Sequence, residues 1–438
     1  MEENKKIGLI IPACSDLNRG DQALVIETMN VMKKSLNIEE FFMMSNNEIN
    51  QCEMFGLKPF KSVLKHPSRF TKKANNMNYN KILKLKWGAI AGIDFFTSIL
   101  LLNGVTRAII MKFASKDLKK SLNLYKNADA IFVKGGGFMH DYTGGLVGRY
   151  TMYYQLFHIK LALKMKKNVY IMPNSFGPFK NKNNAKSLNK ILNKCKFVSA
   201  RESISANGKT NGLERDIPLY PDLGFFLEGE EKEKIKSYLE DNYNMDFEKE
   251  KYIAITARPY RFYESDNPEK SKEDYIQGFA KIAKYIYEIG YIPLFVVHTR
   301  AQNNHENDEF CIKEIIEKVD KNVKYIEIKD DSLNCKDLKT IYSFCEAIIG
   351  TRFHSVIFSI DNLVPAIAVT YGGNKGQGIM KDMGLANYAI KIEELNYNIL
   401  KEKLDELLKN KQEEKENMKK YIEYANNEYK KMIKQIQE

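Results

Sequence analysis

The sequence is poor in the residues that organise small secreted or metal-bound folds. Its six cysteines, Cys14, Cys52, Cys195, Cys311, Cys335 and Cys345, are irregularly spaced and form no C-x-x-C pair. In a chain of 438 residues this excludes a disulfide framework and a cysteine-based metal site, and implies reduced thiols. Only ten of the 68 basic residues are arginines. Clustered arginine dominates the reading of nucleic acid, so no nucleic-acid partner is expected. No G-x-G-x-x-G follows an apolar run and no G-x-x-x-x-G-K-[ST] occurs, which leaves a dinucleotide cofactor and a P-loop unsupported. Residues 1–6 are charged and lack the apolar core of a signal peptide, so a cytoplasmic protein is expected.

What is present is enough to build large cores. The chain is 44% hydrophobic, with 25 tyrosines and 24 phenylalanines, which rules out a disordered polymer. Its length suggests two to three domains. The formal charge of +12 comes from lysines dispersed along the whole chain, which favour acidic surroundings such as anionic lipid or phosphorylated ligands.

Near-continuous apolar runs end repeatedly in polar or glycine-rich turns. Residues 7–12 lead into Asn18-Arg19-Gly20-Asp21 and a helix to about Lys34; residues 128–133 lead into Lys134-Gly135-Gly136-Gly137 and a helix. Residues 168–172 lead into Pro173-Asn174-Ser175, and residues 197–200 into Arg201. After a charged stretch over residues 228–251, a second series runs into Arg258, His298-Thr299-Arg300, Arg352-Phe353-His354 and Tyr371-Gly372-Gly373. Such runs suit parallel strands covered on both faces. The fold class is therefore α/β, with two doubly wound Rossmann-like domains, residues 1–228 and 250–392, and a charged helical tail over 393–438.

In open α/β sheets ligands gather beyond the carboxyl ends of the strands. The candidate residues are those that follow the predicted strands: Asp21, Gly135, Gly136, Gly137, Asp141 and Arg201 in the first domain, and Arg258, His298, Arg352, His354 and Lys375 in the second. Arginine offers a fixed fork for carboxylate or phosphate, and the glycine-rich turn from Tyr371 to Gly378 suits a phosphate at a helix N-terminus. A small polyanion is the implied ligand. Each candidate has a plainer reading: Asp21 as a helix N-cap, the three glycines as a tight turn, and His140 and Asp141 as turn-closing groups.

Together these pieces resemble the polysaccharide pyruvyl transferase family. The matching segments are Asn18-x-Gly20-Asp21-x-Ala23, Gly135-Gly136-Gly137 with Asp141, Pro173 to Pro178, Arg201-Glu202-Ser203-x-Ser205, Pro221-Asp222, Thr256-Ala257-Arg258-Pro259, Gly350-Thr351-Arg352-Phe353-His354, and Val364-Pro365 through Tyr371. The resemblance implies an architecture like that of the B-type glycosyltransferases. It also implies transfer of the enolpyruvyl unit of phosphoenolpyruvate, a co-substrate and not a bound cofactor, to two hydroxyls of a sugar or lipid-linked oligosaccharide acceptor. Arg352 and His354 would lie at the phosphoenolpyruvate site, with Lys375 as a further cation. Tyr371 and Lys375 are one residue further apart than the family's Tyr-x-x-Lys, which puts Asn374 at the expected position. On this reading Asp21, in the first domain, takes the acceptor proton while His354, in the second, acts as acid. A nucleotide-sugar glycosyltransferase and a non-catalytic carbohydrate-binding homologue are the alternatives.

The most apolar stretch, residues 87–114, is interrupted by Asp94, Asn103-Gly104 and Arg107 and flanked by lysines. It suits either a segment lying on the inner face of an anionic membrane or an internally packed helix pair.

Overall fold

The computed structural model describes residues 5–14, 17–45, 51–64, 81–141, 145–262, 265–301, 305–372 and 375–438. Gly373 and Asn374, in the glycine-rich turn, lie outside them. The chain divides into two units. The first comprises Met1–Asp16, Leu24–Leu223 and Tyr429–Glu438, and the second Leu17–Ala23 and Gly224–Glu428. This differs from the sequence-based boundaries: the Asn18–Asp21 turn, the stretch from Gly224 onward and the tail as far as Glu428 group with the second unit, and the last ten residues group with the first.

The first unit is built on β1 (Ile7–Cys14), β2 (Glu40–Ser45), β3 (Leu57–Phe60), β4 (Ala130–Val133), β5 (Gly136–Asp141), β6 (Asn168–Phe179) and β7 (Phe197–Ala200). All pair in parallel, in the order β3-β2-β1-β4-β6, with both β5 and β7 added to β6. The run after the glycines is thus a strand and not yet a helix: β5 pairs with the far half of the long β6, from Gly136 opposite Asn174 to Asp141 opposite Phe179. Helices α1 (Arg19–Leu36), α2 (Lys81–Leu102), α3 (Gly104–Phe113), α4 (Lys116–Asn127) and α5 (Gly145–Lys164) intervene between strands. The core is the expected one for a sheet covered on both faces, with Leu9, Ile11, Ile131, Val133, Val169 and Ile171 inaccessible to solvent.

The second unit carries β8 (Tyr252–Thr256), β9 (Ile292–Val296), β10 (Ile326–Ile328), β11 (Cys345–Gly350), β12 (Ala366–Thr370) and β13 (Ala389–Lys391), all parallel, in the order β10-β9-β8-β11-β12-β13. The chain winds outward from β8 in one direction and from β11 in the other, so the topological switch point lies between these two strands. Thr351 locks that junction, its amide and hydroxyl each donating to the carbonyl of Thr256 at 3.0 Å. The charged stretch after residue 228 contains the helix Lys232–Tyr243, and the tail is helical over Tyr397–Lys409 and Lys411–Gln437.

One buried ion pair ties the first unit's turns together. Arg201 Nη1 donates to Asp222 Oδ2 at 2.7 Å and Nε to Ser175 Oγ at 2.8 Å, with both charged side chains fully shielded. Removing one member of such a pair strands a charge in a dry interior, whereas replacing both with apolar groups costs little. Asp222→Ala should lower the unfolding free energy by roughly 3–5 kcal/mol, measured by urea titration, and the double variant Arg201→Met with Asp222→Leu should recover most of that loss.

Candidate functional site

The loops that follow β8, β9, β11 and β12 all lie at the carboxyl edge of the second sheet, and they carry most of the residues singled out from sequence. Arg352 is the second residue after β11. It is almost fully buried because its charge is met: Nε and Nη2 both donate to Asp308 Oδ1, at 2.8 and 2.6 Å, and Nη2 also reaches the carbonyl of Glu306 at 2.8 Å. Burial opposes the guanidinium charge, but Asp308, Tyr371 and Glu306 outweigh it and raise the pKa. The Arg352 fork is thus occupied by Asp308, and Nη1 makes no hydrogen bond to a described residue.

Asp308 has a second function: its Oδ2 accepts the amide of Thr299 at 2.8 Å, which fixes the loop after β9. In that loop His298 is dry, its Nδ1 paired with the Tyr342 hydroxyl at 3.0 Å and its Nε2 without a partner among the described residues. Burial drives the His298 pKa well below its ordinary value, and the positive groups His354, Arg352, Arg19 and Lys375 push in the same direction. His298 is a neutral imidazole surrounded by cations.

His354 lies in the first turn of the helix Phe353–Asp361, which begins directly at Arg352 and is capped by no side chain. Its imidazole packs against Gly20: a Cβ at that position would collide with Nδ1, Cγ and Cβ of His354. The Asn18–Asp21 turn is held there by backbone bonds, Arg19 N–H to the His298 carbonyl at 3.3 Å and Arg300 N–H to the Leu17 carbonyl at 3.0 Å. Asp21, next in sequence to Gly20, therefore belongs to the same unit as His354 and not to the first. It is not the N-cap of α1 either. Asn18 fills that post, its side-chain oxygen accepting from the amides of Gly20 and Asp21 at 3.1 and 3.4 Å.

Arg258, after β8, is half-buried with its guanidinium stacked 4.3 Å from the Tyr371 ring centroid; its Nε donates to the Pro259 carbonyl at 3.3 Å. Lys375 opens the helix Lys375–Asp382, with its ammonium 5.4 Å from the Phe353 ring centroid. Sequence reasoning missed two members of this group. Arg19 is buried and donates to the Asp331 carbonyl at 3.2 Å; its only signal was its place in the Asn18–Asp21 turn. Asp308, inside a charged run, gave none. Arg300 follows β9 as expected, but it is taken up in ion pairs with Glu309 and Asp331.

The first unit's candidates are brought together differently. Arg201 is inaccessible, engaged with Ser175 and Asp222, although its Nη2 has no partner among the described residues. Gly137 is needed because a Cβ there would come within 2.6 Å of that Nη2, and Gly135 because one would press on the Pro173 carbonyl at 3.0 Å. Gly136 adopts a φ of +151°. Asp141 is buried and accepts from the Asn181 amide at 3.2 Å and Asn184 Nδ2 at 2.8 Å, which anchors the start of the helix Lys182–Leu192. Neighbouring His140 is pushed down to about 4 by burial, against the pull of Asp141. The polar residues thus form two clusters inside the unit, one around Arg201 and one around Asp141.

The family model for polysaccharide pyruvyl transferases matches residues 18–373. The chain belongs to that family. A family relative, the amylovoran biosynthesis protein AmsJ of Erwinia amylovora, is 24% identical over 414 residues, 93% of each chain. Among solved structures, the complex of MnaA from S. aureus with UDP is similar with a TM-score of 0.51 at 13% identity, over 95% of this chain and 90% of that one. Anabaena Alr3699/HepE, solved with UDP and glucose, gives 0.52 at 10% identity over 98% and 99%. The family's fold here is thus the B-type glycosyltransferase architecture, with the helical tail as an addition to the two sheets.

Two outcomes follow from the geometry. Gly→Ala in the first turn of an exposed helix ordinarily stabilises by up to about 1 kcal/mol; at Gly20 the sign should reverse, because the methyl group displaces His354, and thermal unfolding of Gly20→Ala will show a lower midpoint. His298 is neutral when folded but titrates near 6.5 when unfolded, so its stabilisation is complete above that pH and declines on acidification. At pH 5 the loss is roughly 2 kcal/mol, and His298→Phe should flatten the fall in stability between pH 7 and 5.

Proposed function

We propose that the protein transfers the enolpyruvyl unit of phosphoenolpyruvate to two hydroxyls of a sugar, in a cell-surface polysaccharide or its lipid-linked precursor, forming a cyclic ketal and releasing phosphate. Family membership supplies the transferase and polysaccharide chemistry. The observation that carries the donor is the set of positive groups at the β8–β11 switch point: Arg19, Arg258, Arg352 and Lys375 around His354 and the uncapped helix start at Phe353. A ligand with a carboxylate and a phosphate offers each of these a partner.

In the first step one sugar hydroxyl adds to C2 of phosphoenolpyruvate, giving up its proton, while C3 gains one and becomes a methyl group. In the second, the neighbouring hydroxyl adds to the same carbon, loses its proton, and the C2–O bond to phosphate breaks. Asp21 is the base in this scheme, and His354, which packs against the same turn, is the acid. His298 is too dry to share a proton readily and acts by holding the site's back wall. Arg352, clamped by Asp308, contributes charge and Nη1, whereas Arg258, stacked on Tyr371 with its terminal nitrogens hydrogen-bonded to no described residue, forks the anion.

The test is thermal stabilisation by phosphoenolpyruvate, followed by phosphate release when total cell-envelope glycolipid is added. Arg258→Ala should leave the ligand-free midpoint unchanged and weaken phosphoenolpyruvate binding at least about tenfold, as expected for one charge-assisted contact. Arg352→Lys should lose binding and stability together, and Asp21→Asn should bind the donor but release phosphate far more slowly. Stabilisation by nucleotide sugars and not by phosphoenolpyruvate would replace this reading with a glycosyltransferase.

A further inference from the structure

Soluble proteins bury the apolar stripe of a surface helix and turn its polar residues to water. Over the middle of α2 this order is reversed. Facing the protein is Ser98, with no exposure, whose hydroxyl bonds to Tyr153 of α5 and to the Phe95 carbonyl; Asp94 and Thr97 are half-buried, and only at the helix end does an apolar residue, Leu101, join the core. The outward face holds Ile93, Phe96, Ile99 and Leu100, with Phe96 70% exposed. α3 continues the pattern with Val105, Ile109 and Phe113, the last 86% exposed. Nine of the fifteen exposed large hydrophobic residues among the described ones lie between Leu85 and Phe113. Scattered apolar residues need no explanation, but a contiguous patch of this kind marks an interaction surface.

The two helices form a wedge. No single described helix is long and apolar enough to cross a membrane, but Gly88–Leu102 and Gly104–Phe113 together are, and they are bent by 119° at the break. The break is a built corner: Asn103 caps α3 by accepting from the Val105 and Thr106 amides, and Arg107 Nη1 closes back on the Leu101 carbonyl at 2.9 Å. Residues 81–120 contain eight basic and two acidic side chains, a net charge of +6. Exposed Lys112, Lys116 and Lys120 lie at the end of α3 and the start of α4.

We propose that this wedge is a docking surface for an anionic lipid bilayer, entering one leaflet with the outer faces of α2 and α3 while the lysines meet lipid phosphates. The charge decides between lipid and a second copy of the chain. Joining two copies face to face would bring two rims of the same sign together, whereas an anionic leaflet neutralises them. Leu101, Leu102, Ile110 and Met111 pack on the core and Phe95 lies 4.9 Å from the Tyr153 ring, centroid to centroid, so these helices are already seated, and the apolar residues on their outer side, with Phe96 70% and Phe113 86% exposed, are surplus to internal packing.

Flotation of the full chain with vesicles tests the proposal. The protein should float with mixed phosphatidylglycerol–phosphatidylcholine vesicles at low salt, and markedly less with phosphatidylcholine alone. Phe96→Ser combined with Ile99→Ser should reduce the floated fraction at least about tenfold with little loss of thermal stability, because both side chains lie outside the core. Lys116→Glu with Lys120→Glu should weaken binding only to the anionic vesicles. Wild type that stays with the soluble fraction at low salt overturns the proposal. So does a sedimentation-equilibrium dimer that the serine variant abolishes, which would make the face a contact between copies.

Discussion

A guanidinium can leave water only if a carboxylate goes with it, and the second unit is arranged around one such exchange. Asp308 holds Arg352 with one oxygen and the Thr299 amide with the other. It thereby couples the loop after β11 to the loop after β9. Thr299 in turn forms an antiparallel bridge with Asn18, so the Asn18–Asp21 turn takes its position from the same carboxylate. Remove that anion and the three segments that carry Arg352, His298 and Gly20 lose their common reference.

That arrangement produces an electrostatic bias. Positive groups collect around a histidine whose burial opposes protonation, and His354 stands among them at an uncapped helix start. The site is preorganised for negative charge before any ligand arrives, which is the condition under which fixed dipoles and cations act most strongly. The first unit uses polar residues in the opposite sense. Arg201, Asp222 and Ser175 bond to one another, and Asp141 bonds to Asn181 and Asn184, contacts that hold turns in place.

Strands were legible where both faces are buried, because Ile253–Ile255 or Ile131–Val133 read as unbroken apolar runs. Residues at the ends of those strands were legible for the same reason, so Arg258, His298, Arg352 and His354 were named from position alone. Partners across long chain separations were not. Asp308 is 44 positions from Arg352, and nothing local distinguishes it from other acids in a charged helix start. For the same reason the sequence could not show that Arg201 and Asp141, named as candidates for binding substrate, are also engaged by residues remote in the chain, Asp222 and Asn184. It also put Asp21 in the first domain, since chain continuity says nothing of which body a turn packs on.

The reversed polarity of α2 alters which changes the chain can absorb. Ser98 on the inner side is enclosed and bonded to Tyr153, so any larger residue there must push two helices apart. Ile93, Phe96 and Ile99 are exposed and lie outside the core, so their volume is much freer to vary. Leucine, methionine or tryptophan would serve as well as phenylalanine, and only polarity is constrained. Drift along this stretch should therefore alternate between frozen small positions and loosely defined greasy ones, the opposite of the variation shown by an ordinary surface helix.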